Sequence, residues 1–129
     1  MSGWTRVSWD ELGQFEGDPH PGDHPWPPGD NPDQRVYSYP LGCQHHVFSI
    51  LNYGPGASLV HHRHDHAEEI YVLIRGNSQI RIGDEILDAK PLDAFRVPPE
   101  LYRSVFNNSD QDAYWLVIGA PADEFGYLK

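Results

Sequence analysis

The stretch GASLVHHRHDHAEEIYVLIRG spans residues 56–76, and it decides the fold. Four of the 8 His residues fall inside it, at His61, His62, His64 and His66. Its second half, Glu69–Ile74, is rich in β-branched and aromatic residues, the composition of a strand. On a strand, residues i and i+2 point to the same side. His62 and His64 therefore project together, and His61 faces away. His66 has the same parity but falls in the expected turn at Asp65–Ala67, where alternation lapses. Glu69 opens the next run and shares its side with Tyr71 and Leu73. If the two runs pair across that turn, Glu69 returns beside the two His residues. Two imidazoles and one carboxylate with open positions suit Fe(II), and also Mn, Ni or Zn.

Outward from this stretch, the text from Arg35 onward is a series of short apolar runs separated by turn residues. The expected strands are Val36–Tyr39, His45–Asn52, Ala57–His62, Glu69–Ile74, Ser78–Ile82, Glu85–Leu87, Ala94–Val97, Arg103–Asn107 and Ala113–Ile118. Gly83-Asp84 between two of them is a two-residue hairpin signal. No segment after residue 16 carries a helical period. The fold class is therefore all-β, a sandwich or barrel.

The N-terminal residues read differently. Six of the 12 Pro lie between Pro19 and Pro32. Pro lacks a backbone donor and fixes φ, which rules out a helix or a central strand there. Residues 1–34 are expected to form an arm, with one helical turn and an extended Pro-rich segment at Gly17–Gln34. The turn starts at a capping-box pattern, Ser8-Trp9-Asp10-Glu11. Residues 35–129 are expected to form the barrel domain.

The chain has 129 residues, the size of one domain. Its 19 Asp and Glu against 9 Lys and Arg give a formal charge of −10. That argues against nucleic acid and anionic membranes, which need basic patches. One Cys, Cys43, cannot close an intrachain disulfide. No apolar run approaches the roughly 20 residues of a membrane span. With no apolar leader in the first ten residues, the expected location is cytoplasmic.

The pattern Gly56-x5-His62-x-His64-x4-Glu69-x6-Gly76 resembles the first motif of the cupin family. A second, looser resemblance runs through Asp93-x4-Pro98-x4-Arg103-x3-Asn107. Together they cover roughly residues 44 to 120. The second motif departs from the family at Leu92, where a Gly is usual, and at Glu100, where a turn Gly is usual. The departure with chemical weight is Arg103. The family places its last metal-binding His there, and Arg has no lone pair to offer a metal.

The resemblance implies a cupin jelly roll, also called a double-stranded β-helix barrel, with His62, His64 and Glu69 as metal ligands. It also implies a homodimer paired by edge strands. His46, sharing parity with Phe48 and Ile50, is a reserve candidate for a further ligand, as is His66. Tyr71 and Arg103 are the candidate catalytic residues. The Tyr71 hydroxyl can donate to a substrate or water. Arg103 can clamp a substrate carboxylate or pair with Glu69 or Glu100. Leu101, Tyr102, Val105, Tyr71 and Phe48 are expected to line the barrel mouth. Two functions follow. One is a metal-dependent enzyme on a small organic substrate, dioxygenase-like or of isomerase, lyase or cyclase type. The other is a metal-free module or sensor that binds a small anion.

Overall fold

The computed structural model describes residues 3–14 and 31–125. Most of the segment expected to be extended, Gly17–Gln34, lies outside them. The described residues form two antiparallel sheets. The strands are β1 (Asp33–Val36), β2 (Val47–Tyr53), β3 (Glu68–Arg75), β4 (Ser78–Ile82), β5 (Glu85–Ala89), β6 (Ala94–Val97), β7 (Arg103–Phe106) and β8 (Ala113–Ala120). The larger sheet has the order β1-β2-β8-β3-β6, and the smaller has β5-β4-β7. This is the all-β jelly-roll barrel that the sequence led us to expect. Leu51, Tyr53, Leu73 and Trp115 of the larger sheet meet Ile80 and Val105 of the smaller one in the core.

Alternation explains the faces of the larger sheet. Along β2, Val47, Ser49, Leu51 and Tyr53 are buried and the residues between them are half-buried. His46 precedes this strand and is exposed, and Phe48 stacks on Tyr37 at 5.1 Å. The inward parity is thus odd, not even. The expectations that His46 reaches the barrel interior and that Phe48 lines its mouth are both corrected. Both parities of this run are apolar, so period alone did not choose the core face.

Two other expected elements change. The first strand ends at Val36, and Ser38–Leu41 is a one-turn helix. Pro40 cannot donate to a ladder but fits an early helical position, where its missing N–H would be unpaired anyway. Gly42, with φ 78°, closes the turn by donating to the Ser38 and Tyr39 carbonyls.

The run Ala57–His62 follows β7 without forming a regular strand. Ser58 opposes Phe106 and His62 opposes Arg103. Four steps on one side thus match three on the other, as in a β-bulge, and the extra residue interrupts the ladder.

Several motif residues have plain structural roles. Gly76, at φ 91°, sits so close to Asp112 that a Cβ would collide with its carbonyl. Asn107 is fully buried, and its amide donates to the Tyr53 and Gln111 carbonyls at 2.7 Å each. Leu92 holds φ 75°, a left-handed conformation that explains why a Gly is usual there. Gly83-Asp84 forms the turn between β4 and β5. At the N-terminus, Trp9–Glu11 is a short 3-10 turn in which the Ser8 hydroxyl donates to Glu11. Arg35 holds this turn to the sheet. Its guanidinium lies 4.4 Å over the Trp9 ring and donates to the Trp9 and Leu12 carbonyls. No helix among the described residues is long and apolar enough to cross a membrane.

Candidate metal centre

The His run does not form a hairpin with β3. β3 pairs with β6 and β8 instead. The His run lies against β7, where His62 and Arg103 exchange both backbone hydrogen bonds, at 3.0 and 2.8 Å. His62 and His64 therefore approach Glu69 across the interior rather than along one sheet. One donor atom from each of His62, His64 and Glu69 lies within 4.8 Å of the other two. All three residues are at most 9 % exposed. His64 Nε2 is 3.2 Å and His62 Nε2 is 4.0 Å from Glu69 Oε1.

The far nitrogens explain this orientation. His62 Nδ1 lies 2.8 Å from the Val60 carbonyl, which can only accept, so we assign the ring proton to Nδ1. Nε2 is thereby the nitrogen turned toward Glu69. His64 stands between two carboxylates, with Nδ1 3.2 Å from Glu124 Oε2 and Nε2 3.2 Å from Glu69 Oε1. A ligating His held from behind by a carbonyl or carboxylate is the usual arrangement at metal sites.

Glu69 is the electrostatic hub. Tyr71 donates to its Oε1 at 2.8 Å and Arg103 Nη1 at 2.7 Å. Burial by itself raises the Glu69 pKa. The hydrogen bond from His64 and the positive fields of His64, His62 and Arg103 outweigh it, bringing the pKa to about 2. Glu69 is thus ionised at neutral pH, as a metal ligand must be. Burial, followed by the Glu69 charge, pushes the Tyr71 hydroxyl well up, so it remains a donor.

Arg103 is 0 % exposed. Besides Glu69, it donates to the Leu101 carbonyl at 3.1 Å and the Pro98 carbonyl at 2.6 Å. Its fork is spent within the protein, on Glu69 and not on Glu100.

The donor chemistry fits a divalent transition metal with three protein ligands. Tyr71 and Arg103 take two of the roughly four acceptor sites of the Glu69 carboxylate, which leaves others for a metal.

The reserve ligands lie elsewhere. His46 is exposed, and His66 is exposed with its backbone N–H donating to Glu124. The chain turns at Asp65–Ala67, so the shared parity of His66 does not carry through. His61 is outside the cluster, stacked on Tyr102 at 5.1 Å. Tyr71 and Val105 are buried in the core, whereas Leu101 and Tyr102 are exposed. Glu124 was missed by the sequence reading. It lies in a 3-10 turn, Ala122–Glu124, that has no periodicity to mark it.

A family model described as Cupin domain matches residues 49–119, more than half of the chain. The chain belongs to the cupin family. No curated protein matches it. Among solved structures, a cupin protein from Bacteroides fragilis is 22 % identical, with TM-score 0.68, covering 100 % of this chain and 91 % of that one. A "predicted oxalate decarboxylase" from Thermotoga maritima is 17 % identical, with TM-score 0.74, covering 91 % of this chain and 99 % of that one. A provisionally assigned sugar phosphate isomerase from Acidithiobacillus ferrooxidans is 21 % identical, with TM-score 0.71, covering 92 % of this chain and 76 % of that one. At these identities the three share this cupin's fold and nothing finer.

Proposed function

We propose that this cupin binds one divalent transition metal through His62, His64 and Glu69, and acts as a metal-dependent enzyme on a small organic substrate. Iron, zinc, manganese and nickel all suit the ligand set. The observation that carries the reading is the convergence of the two Nε2 atoms on an ionised, buried Glu69. A metal there supplies Lewis acidity at open positions, which serves dioxygenase-like as well as isomerase, lyase or cyclase chemistry. The protein's own groups prepare the site. Val60 orients His62, while Tyr71 and Arg103 hold the Glu69 carboxylate. The two assigned solved structures are named for anionic compounds, an oxalate and a sugar phosphate. A carboxylate-bearing substrate is therefore the class we favour. For Arg103 to clamp it directly, the guanidinium must exchange Glu69 for the substrate.

A second reading is favoured by one distance. Arg103 already neutralises Glu69 at 2.7 Å, so the barrel can close its charges without a metal. It would then be a non-catalytic module or sensor for a small anion.

Metal analysis separates the two readings. Protein purified without chelator should carry about one metal per chain, and chelation should lower its melting temperature. No metal, together with an unchanged melting temperature on adding Fe(II), Zn(II) or Ni(II), would sink the enzyme reading and leave the second.

A homodimer belongs to the same proposal. Phe48, Ile50, Val72, Leu116 and Ile118 alternate with core residues, so they lie on the outer face of the larger sheet. Ile70 and Ile74 on that face are 37 % and 39 % exposed. An apolar face of this kind suits a second copy of the chain. Sedimentation velocity should show a dimer, and Ile70→Glu should give the monomer. A wild-type monomer at micromolar concentration would rule the dimer out.

A further inference from the structure

The two His ligands are held by different parts of the chain. His62 is held from two residues away, by the Val60 carbonyl. His64 is held from the C-terminal turn. Glu124 Oε1 accepts the backbone N–H groups of His66 and Ala67 at 2.6 and 2.9 Å, and its other oxygen lies 3.2 Å from His64 Nδ1. Phe125 follows, 4 % exposed, with its ring 5.0 Å from the His64 ring. Phe125 fits because residue 119 is Gly. A Cβ there would come within 2.5 Å of the Phe125 ring. The turn is itself tied to the barrel through the Ala122 N–H, which donates to the His45 carbonyl.

We propose that Glu124 is the positioning residue of the metal centre: with Phe125 it forms a C-terminal latch that fixes the His64 ring and keeps its proton on Nδ1. The inference rests on the metal-binding reading above. Its physical content is directional. Glu124 is anchored by two backbone donors, so its second oxygen cannot swing away from His64 without breaking both. A carboxylate can only accept, so its approach to 3.2 Å favours the proton on Nδ1. Nε2 is then the nitrogen turned toward Glu69, and a metal bound there would take the place of its contact with that carboxylate. Carboxylate partners of metal-bound His residues typically change metal affinity by about 10–100-fold.

Glu124→Gln is the discriminating variant. It keeps the size of the side chain and one oxygen for the two backbone donors. Its NH2 group then faces His64 Nδ1, which becomes an acceptor and sends the ring proton to Nε2. The expected result is a folded protein with a near-normal melting temperature and Zn(II) affinity weaker by about 10–100-fold, measured by chelator competition. Nitrogen-15 NMR of the metal-free proteins should show His64 Nδ1 protonated in wild type and unprotonated in the variant. A merely structural Glu124 would leave both readouts alone.

Wild-type Zn(II) binding with unchanged affinity and an unchanged Nδ1 signal in Glu124→Gln would overturn the latch. If wild type binds no Zn(II), the metal reading fails, and the nitrogen-15 comparison still decides the latch. If the variant does not fold, the wild-type spectrum decides: a proton on Nδ1 supports the latch and a bare Nδ1 overturns it.

Discussion

Arg103→His is expected to tighten Zn(II) binding by roughly 100-fold while making the metal-free protein less stable. The gain has two sources. The substitution adds an imidazole where the family keeps its last ligand, giving four protein donors in place of three. It also removes a permanent positive charge from a buried site that must accept a dication. Each factor of ten in affinity needs only about 1.4 kcal/mol, and the loss of like-charge repulsion in a desolvated site is worth more than that. The cost falls on the apo state. Arg103 is fully buried and serves Glu69 and the carbonyls of Pro98 and Leu101. Breaking such a pair typically costs about 3–5 kcal/mol, enough to lower the melting temperature by on the order of 10 °C. Chelator competition and thermal melts with and without Zn(II) measure both effects. If affinity does not rise, residue 103 does not stand at the ligand position and the metal reading weakens with it.

What the sequence made legible follows from range. His62, His64 and Glu69 belong to one stretch with fixed spacing, and side-chain alternation already placed both His residues on one side. The strand runs from Ser78 to Val97 were equally legible, because each is bounded by its own turn residues. Local pattern misleads where the structure depends on distant partners. The hairpin assumed between the His run and β3 is the simplest local pairing, but the His run spends its hydrogen bonds on β7 instead. Parity misplaces His46 because Val47, Phe48, Ile50 and Leu51 make that strand apolar on both sides. Glu124 reaches back 58 positions to the backbone of His66, and nothing local marks such a contact. For Arg103 the position was read from the motif. Its near-complete internal satisfaction was not, because it depends on where the carbonyls of the Pro98–Leu101 turn point.

Glu69→Gln should abolish metal binding and also change how stability depends on pH. The amide keeps the shape and can still accept from Tyr71, but it is a poor metal ligand and brings no charge. Arg103 is then a buried cation without its counter-ion, so at neutral pH the variant should be less stable by about 3 kcal/mol or more. The pH signature isolates the carboxylate. In the folded protein the Glu69 pKa falls from 4.5 to about 2, so this group binds a proton less readily folded than unfolded. Its contribution to stability is therefore fully present above 4.5 and is lost as pH falls through about 2. Glu69→Gln has no proton to take up and lacks that loss. Urea midpoints followed downward from neutral pH should show wild type and variant converging across this window. A gap that stays constant would mean that Glu69 is not held ionised by His64, His62 and Arg103. The electrostatic basis of the site, with or without a metal, would then have to be abandoned.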